Sequence, residues 1–240
     1  MRDREIDDIL KKAAGALPEA DPALVERVSN TVASSAHPVR ALPPARVLAA
    51  GLLSIGAGFA LAGAALLGLH GIARLSAPAI ALIFPVLAAL SWLAALAGAA
   101  EMTPGSRRPV GPALLPAAAS TLLVAVFALL FHDYRMDRFV PQGIACLTAG
   151  MLLAFPTGVA GWLLVRRGYA LNTVAAGMAL GTLAGLAGVT MLELHCANFE
   201  APHVMVWHTA VIPLSTLVGA LAGRAVRARA GRTRSEAAPR

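Results

Sequence analysis

The chemistry-bearing residues of this 240-residue chain are few and gathered. It has two cysteines, Cys146 and Cys196, and six histidines. Glu193, His195, Cys196, His203 and His208 fall within one short stretch. Thiolate and imidazole together suit zinc, copper and other borderline or soft metals. His195, His203, His208 and Glu193 are therefore candidate ligands of a metal site built around Cys196. His203 and His208 stand five positions apart, which on an α-helix puts them off a common face. A lone histidine near a membrane interface is ordinarily a polar cap. Three readings of the cysteine pair stay open: two unrelated small core residues, a reversible disulfide, or paired thiol ligands. There is no CxxC, so a thioredoxin-type redox motif is not supported.

The elements that must position these groups are read from hydropathy. Hydrophobic residues make up 58% of the chain and charged residues only 14%, against about 25% charged in soluble domains. The apolar residues come in long blocks rich in Ala, Leu and Gly, the pattern of packed membrane helices. Six spans are expected, at 46–69, 78–100, 113–131, 140–165, 170–193 and 204–223. Short connections make sequential helices antiparallel neighbours. The fold class is an all-α bundle of six transmembrane helices with a short helical N-terminal segment. It divides into a partner-binding segment at 1–45, a membrane domain at 46–223 and a basic tail at 224–240.

Lys and Arg fix the orientation. Seventeen lie in the termini and in the loops holding Arg107, Arg108, Arg166 and Arg167; the other side has only Arg74, Arg135 and Arg138. Both termini are therefore expected in the cytoplasm, and Cys146, Cys196 and five histidines outside it. The first ~45 residues are polar and no short apolar run follows a basic start, so no cleavable signal peptide is expected. The spans carry no mid-membrane Asp, Glu, Lys or Arg, which argues against a pump or secondary transporter. Trp207 and Tyr134 read as interface anchors. The net charge of +7 comes from arginines flanking the spans, so no direct nucleic-acid contact is expected.

The N-terminal segment reads as two short amphipathic helices. Residues 2–14 place Ile6, Ile9 and Leu10 on one face. Asp21-Pro22 reads as an N-cap followed by proline at the first helical position. The second helix should run to about Ser34, with Leu24, Val25, Val28 and Val32 as its stripe. Two such helices cannot bury a core alone, so the segment is either a solvated tail or folds onto a partner.

Several features together resemble a known family. They are the cytoplasmic N-terminal segment, six spans, Cys146 at the outer start of the fourth, and Cys196 in an L-H-C motif after the fifth. The sixth span opens with VMVWH and closes with VGALAGR. This is similar to the NrsF family of membrane-bound anti-sigma factors. The resemblance implies a multi-pass inner-membrane protein that is not an enzyme. It further implies that the N-terminal segment holds an extracytoplasmic-function sigma factor and releases it under metal or oxidative stress. Cys146 and Cys196 become the sensor residues on this resemblance. Ile6, Ile9, Leu10, Leu24, Val25 and Val28 are the residues expected to touch the sigma factor. The resemblance implies no cofactor beyond a candidate metal ion at the outer face. Other classes are a membrane thiol–disulfide or quinone-linked redox protein, which would need a thiol pair that turns over, and a metal-binding membrane protein.

Overall fold

The computed structural model describes residues 8, 11–12, 21–35, 42–103, 106, 110–166 and 172–236. The chain separates into two units, Met1–Ala41 and Leu42–Arg240. The expected helix at 2–14, with Ile6, Ile9 and Leu10, lies outside the described residues apart from Asp8, Lys11 and Lys12.

In the first unit, α1 spans Pro22–Ser35. Its start follows from local chemistry. The Asp21 carboxylate accepts from the Ala23 N–H at 3.0 Å, and proline, which has no N–H to satisfy, fills the first helical position. Leu24, Val25, Val28 and Val32 are each at least half exposed along one side. That apolar stripe has the i, i+4 spacing of a face made to be covered.

The regular secondary structure of the second unit is all helical among its described residues. Its helices are α2 (Ala45–Leu67), α3 (Ala77–Ala100), α4 (Leu114–Leu130), α5 (Phe139–Val165), α6 (Thr173–His195) and α7 (Thr209–Glu236). A three-residue helix, Ala201–His203, and a π turn, Val204–His208, run directly into α7. Among the described residues, five stretches are long and apolar enough to cross a membrane: α2, α3, α5, α6 and Ala201–Arg229. The stretch expected as the third span forms α4, an apolar helix of 17 residues, shorter than the five and outside that set. At 1.5 Å per residue it reaches about 26 Å, against a hydrocarbon core of about 30 Å. The last helix also continues to Glu236, into the stretch that the sequence sets apart as a basic tail.

α6 sits at the centre. Most of its length is buried, whereas Leu61, Leu66, Leu152, Phe155, Leu217 and Leu221 of surrounding helices point outward. Small residues make this possible. Gly177 of α6 faces Gly219 of α7 so closely that a Cβ on either would fall inside the other's carbonyl oxygen. Close approach of this kind replaces the hydrophobic driving force that helices lack in lipid. Polar bonds join the same pair: the Thr173 hydroxyl donates to the Gly223 carbonyl at 2.8 Å, and the Thr182 and Thr216 hydroxyls meet at 3.0 Å.

The three loops that the sequence assigns to one side meet at one end of the bundle. The Gly71 N–H donates to the Leu194 carbonyl at 3.1 Å and the Ala201 N–H to the Asp133 carbonyl at 2.6 Å. Phe131 stacks on Phe199 with centroids 5.2 Å apart.

Candidate metal and thiol site

The site lies at that end, where α5, the end of α6 and the π turn converge. Cys146 stands two turns into α5 and is half-buried. Cys196 is the residue at which α6 ends. Its N–H still bonds to the Leu192 carbonyl at 2.7 Å, but its extended backbone turns the chain away from the helix. Gly71 of the loop between α2 and α3 presses against this bend. A Cβ there would approach the Glu193 carbonyl at 2.6 Å and the Cys196 carbonyl at 2.7 Å. Beyond the bend, the Asn198 amide donates to the Gln142 side-chain oxygen at 2.7 Å, tying the loop to α5 one turn from Cys146.

These restraints set the two free thiols 3.4 Å apart. His203 brings Nε2 to 3.6 Å from the Cys196 sulfur. His208 packs edge-on against His203, with ring centroids 5.3 Å apart. One ligand atom from each of Cys146, Cys196, His203 and His208 lies within 4.8 Å of all the others. His203, His208 and Glu193 are fully buried. The Cys196 thiol is held above its ordinary pKa by its hydrogen bond with Cys146 and by burial, while His203 and His208 pull it down.

The π turn corrects the expectation that His203 and His208 cannot share a face. On a regular α-helix, residues five apart are about 140° apart around the axis. Over Val204–His208 the backbone bonds instead close five residues apart, widening the turn so that both imidazoles face inward. The Thr209 hydroxyl donates back to the Met205 carbonyl at the end of this turn. The sequence carries no recognised marker for such a turn. VMVWH reads as ordinary apolar helix.

The remaining candidates occupy other roles. The Glu193 carboxylate is not among the four; its Oε1 sits 2.7 Å from His208 Nδ1 and fixes that ring. His195 turns its Nδ1 to the Gly68 carbonyl at 2.9 Å and lies outside the four-residue group. Trp207 packs against Phe139 at 5.5 Å, half-buried, while Tyr134 is exposed. A cleft of about 600 Å³ leads to the cluster, lined by His70, Arg74, Gln142, Cys146, His195 and His203 among others.

The chain is thus a helical protein with five membrane-compatible helices and a buried thiol–imidazole cluster at one end. The family described as NrsF, negative regulator of sigma F, matches residues 32–227, and the chain belongs to it. Among curated proteins and solved structures, none matches significantly. Membership makes the protein a negative regulator of a sigma factor.

Proposed function

We propose that the protein is an inner-membrane anti-sigma factor that keeps an extracytoplasmic-function sigma factor at the membrane and frees it when its outer thiols are modified. The family match over residues 32–227 carries this reading. α4, shorter than its neighbours, serves as the third of six spans, and an even number of spans keeps both termini on the same side. The distribution of Lys and Arg supports the cytoplasm as that side. Leu24, Val25 and Val28 of α1, with Ile6, Ile9 and Leu10 upstream, form the sigma contact. Their exposure in α1 supports this, although Leu24, Val25 and Val28 precede the matched region. The regulator is not an enzyme and does not itself touch nucleic acid.

Cys146 and Cys196 form the sensor. Oxidation or metal binding changes their relation, shifts α5 against α6, and loosens the cytoplasmic grip. A stimulus does this only by favouring one of two packings over the other.

The test is a transcriptional reporter for the cognate sigma factor, combined with its co-purification on full-length protein. Val28→Asp is expected to reduce retained sigma factor by about tenfold or more, since an apolar anchor is worth about 1.5–3 kcal/mol. It should leave the melting of the membrane unit unchanged. Equal retention by the variant would remove α1 from the contact. A reporter response to metals and oxidants that survives Cys146→Ser and Cys196→Ser would end the sensing assignment.

A further inference from the structure

We infer that Cys146, Cys196, His203 and His208 form one closed, four-ligand site for a divalent d10 cation of the zinc or cadmium type, with Glu193 holding His208 in its binding tautomer. The inference deepens the sensing reading and rests on it only for the role of the two cysteines.

Geometry is the first support. Metal–sulfur bonds of about 2.3 Å and metal–nitrogen bonds of about 2.0–2.1 Å, placed on a tetrahedron, separate sulfur from nitrogen by about 3.5 Å and sulfur from sulfur by about 3.8 Å. The Cys196 sulfur and His203 Nε2 are 3.6 Å apart, and the two sulfurs 3.4 Å. Opening the thiols by about 0.4 Å gives the sulfurs tetrahedral spacing, and the remaining ligand atoms, already within 4.8 Å of one another, draw in to the same figure.

The polar atoms give a second, independent support. His208 is fully buried, its Nδ1 faces the Glu193 carboxylate, and its Nε2 has no hydrogen-bond partner among the described residues. An imidazole whose one nitrogen is held by a carboxylate and whose other is free is the arrangement in which histidine binds a metal. Left unpaired, a buried ring nitrogen carries a desolvation cost. Coordination removes that cost.

Charge selects the ion. Two thiolates cancel the charge of a dication, leaving the Glu193 carboxylate as the one formal negative charge at the site. A monovalent ion such as copper(I) would leave a net negative charge beside the Glu193 carboxylate. The His₂Cys₂ donor set and tetrahedral spacing also exclude magnesium and calcium, which take oxygen ligands. Four protein ligands fill the coordination sphere, so the ion would be held as a structural or sensing ion with no open position for catalysis.

The test uses full-length protein in detergent, purified with its thiols reduced and titrated with cobalt(II) and then zinc. One cobalt per chain is expected, with the intense visible bands of a tetrahedral site and sulfur-to-cobalt charge transfer, displaced by stoichiometric zinc. Cys196→Ser should at least halve the charge transfer, and Cys146→Ser combined with it should remove it. His203→Ala and His208→Ala should each weaken zinc at least 100-fold; His195→Ala should leave affinity within about threefold and serves as the folding control. No stoichiometric cobalt, pale octahedral spectra, or His203→Ala and His208→Ala variants that bind like the parent would overturn the assignment. So would recovery of a Cys146–Cys196 disulfide, in place of bound metal, from protein extracted without reductant. Tight zinc with an unresponsive reporter would instead sink only the sensing reading. A cysteine-dependent oxidant response without zinc binding would spare that reading and sink this one.

Discussion

Glu193→Gln isolates what the carboxylate does for His208. Gln has the same shape and can still accept from Nδ1–H, so the hydrogen bond survives without its charge. The bond is short, 2.7 Å, and both residues are fully buried. A charge-assisted bond contributes about 1.5–3 kcal/mol and a neutral one about 0.5–1.5 kcal/mol. Only the part of this difference, about 1–1.5 kcal/mol in all, that is gained when a metal polarises the imidazole reaches the affinity, so the loss is at most roughly five- to tenfold in zinc affinity. Glu193 Oε2 has no partner among the described residues, so the new amide N–H₂ is also buried unsatisfied. That penalty falls equally on the metal-free and metal-bound protein and cancels in the affinity. It appears instead as a lower melting temperature in both states. Competition between the protein and a chromophoric chelator for zinc measures the affinity directly. Zinc binding unchanged within twofold, or tightened, would refute the assigned role, because a carboxylate that orients and polarises a ligand cannot be neutralised without loss.

Three further outcomes follow from the same geometry. A π turn of this kind amounts to one extra residue in an α-helix, so deleting exposed Val206 should restore α-helical register. The two histidines would then be four apart on one face and zinc binding would persist, whereas deleting Leu217 from regular α7 should rotate the preceding chain by about 100° and abolish folding; equal damage from both deletions would dismiss the π turn. Gly177→Ala should destabilise the bundle by about 1–3 kcal/mol by forcing α6 and α7 apart, while Gly58→Ala, with open space around it, should be neutral or stabilising by up to about 1 kcal/mol, as thermal melts in detergent would read. A membrane-impermeant maleimide added to metal-depleted spheroplasts should label half-buried Cys146 faster than buried Cys196, and no labelling of either without permeabilisation would reverse the proposed orientation.

Much of the fold was legible because water and lipid impose simple rules. The apolar blocks predict helices where α2 to α7 lie, and Asp21-Pro22 marks the start of α1. The length of α4 was less legible. Its hydropathy continues into the flanking residues, but the backbone leaves the helix at Phe131, which is extended. The central place of α6 was also hidden, since a helix facing lipid and a helix facing other helices are equally apolar. Its clue lay in composition: the glycines of 173–195 recur every three or four residues, where a lipid-facing helix has no need of them. At the site, the residue types pointed to thiol and imidazole chemistry, but their partnership depended on backbone geometry. Regular helical spacing separates His203 from His208, and only the π turn reunites them. Glu193 was read as a candidate ligand, whereas it stands outside the four-residue group and contacts His208.

The origin of each ligand bears on how an outer event could reach the other end of the bundle. Cys196, His203 and His208 come from the end of α6 and the beginning of the helix that continues as α7. These two helices are bound together along their length, backbone against backbone at Gly177 and Gly219 and by the Thr173 and Thr182 bonds. Opening them would strip several buried polar groups at once. Cys146 is the one ligand supplied by α5. That helix approaches α6 more openly: the Cβ of an alanine at Gly188 would meet the Gly150 carbonyl at 2.7 Å, and farther along Gly158 is in ordinary contact with Ala184 at 3.8 Å. On the proposed reading, a bond made or lost at Cys146 therefore acts between α5 and a stiff α6–α7 pair. The joint with fewer direct backbone contacts yields first, so α5 is the helix expected to move. Its far end carries Arg166, on the face assigned to the cytoplasm, where any movement of α5 would be delivered.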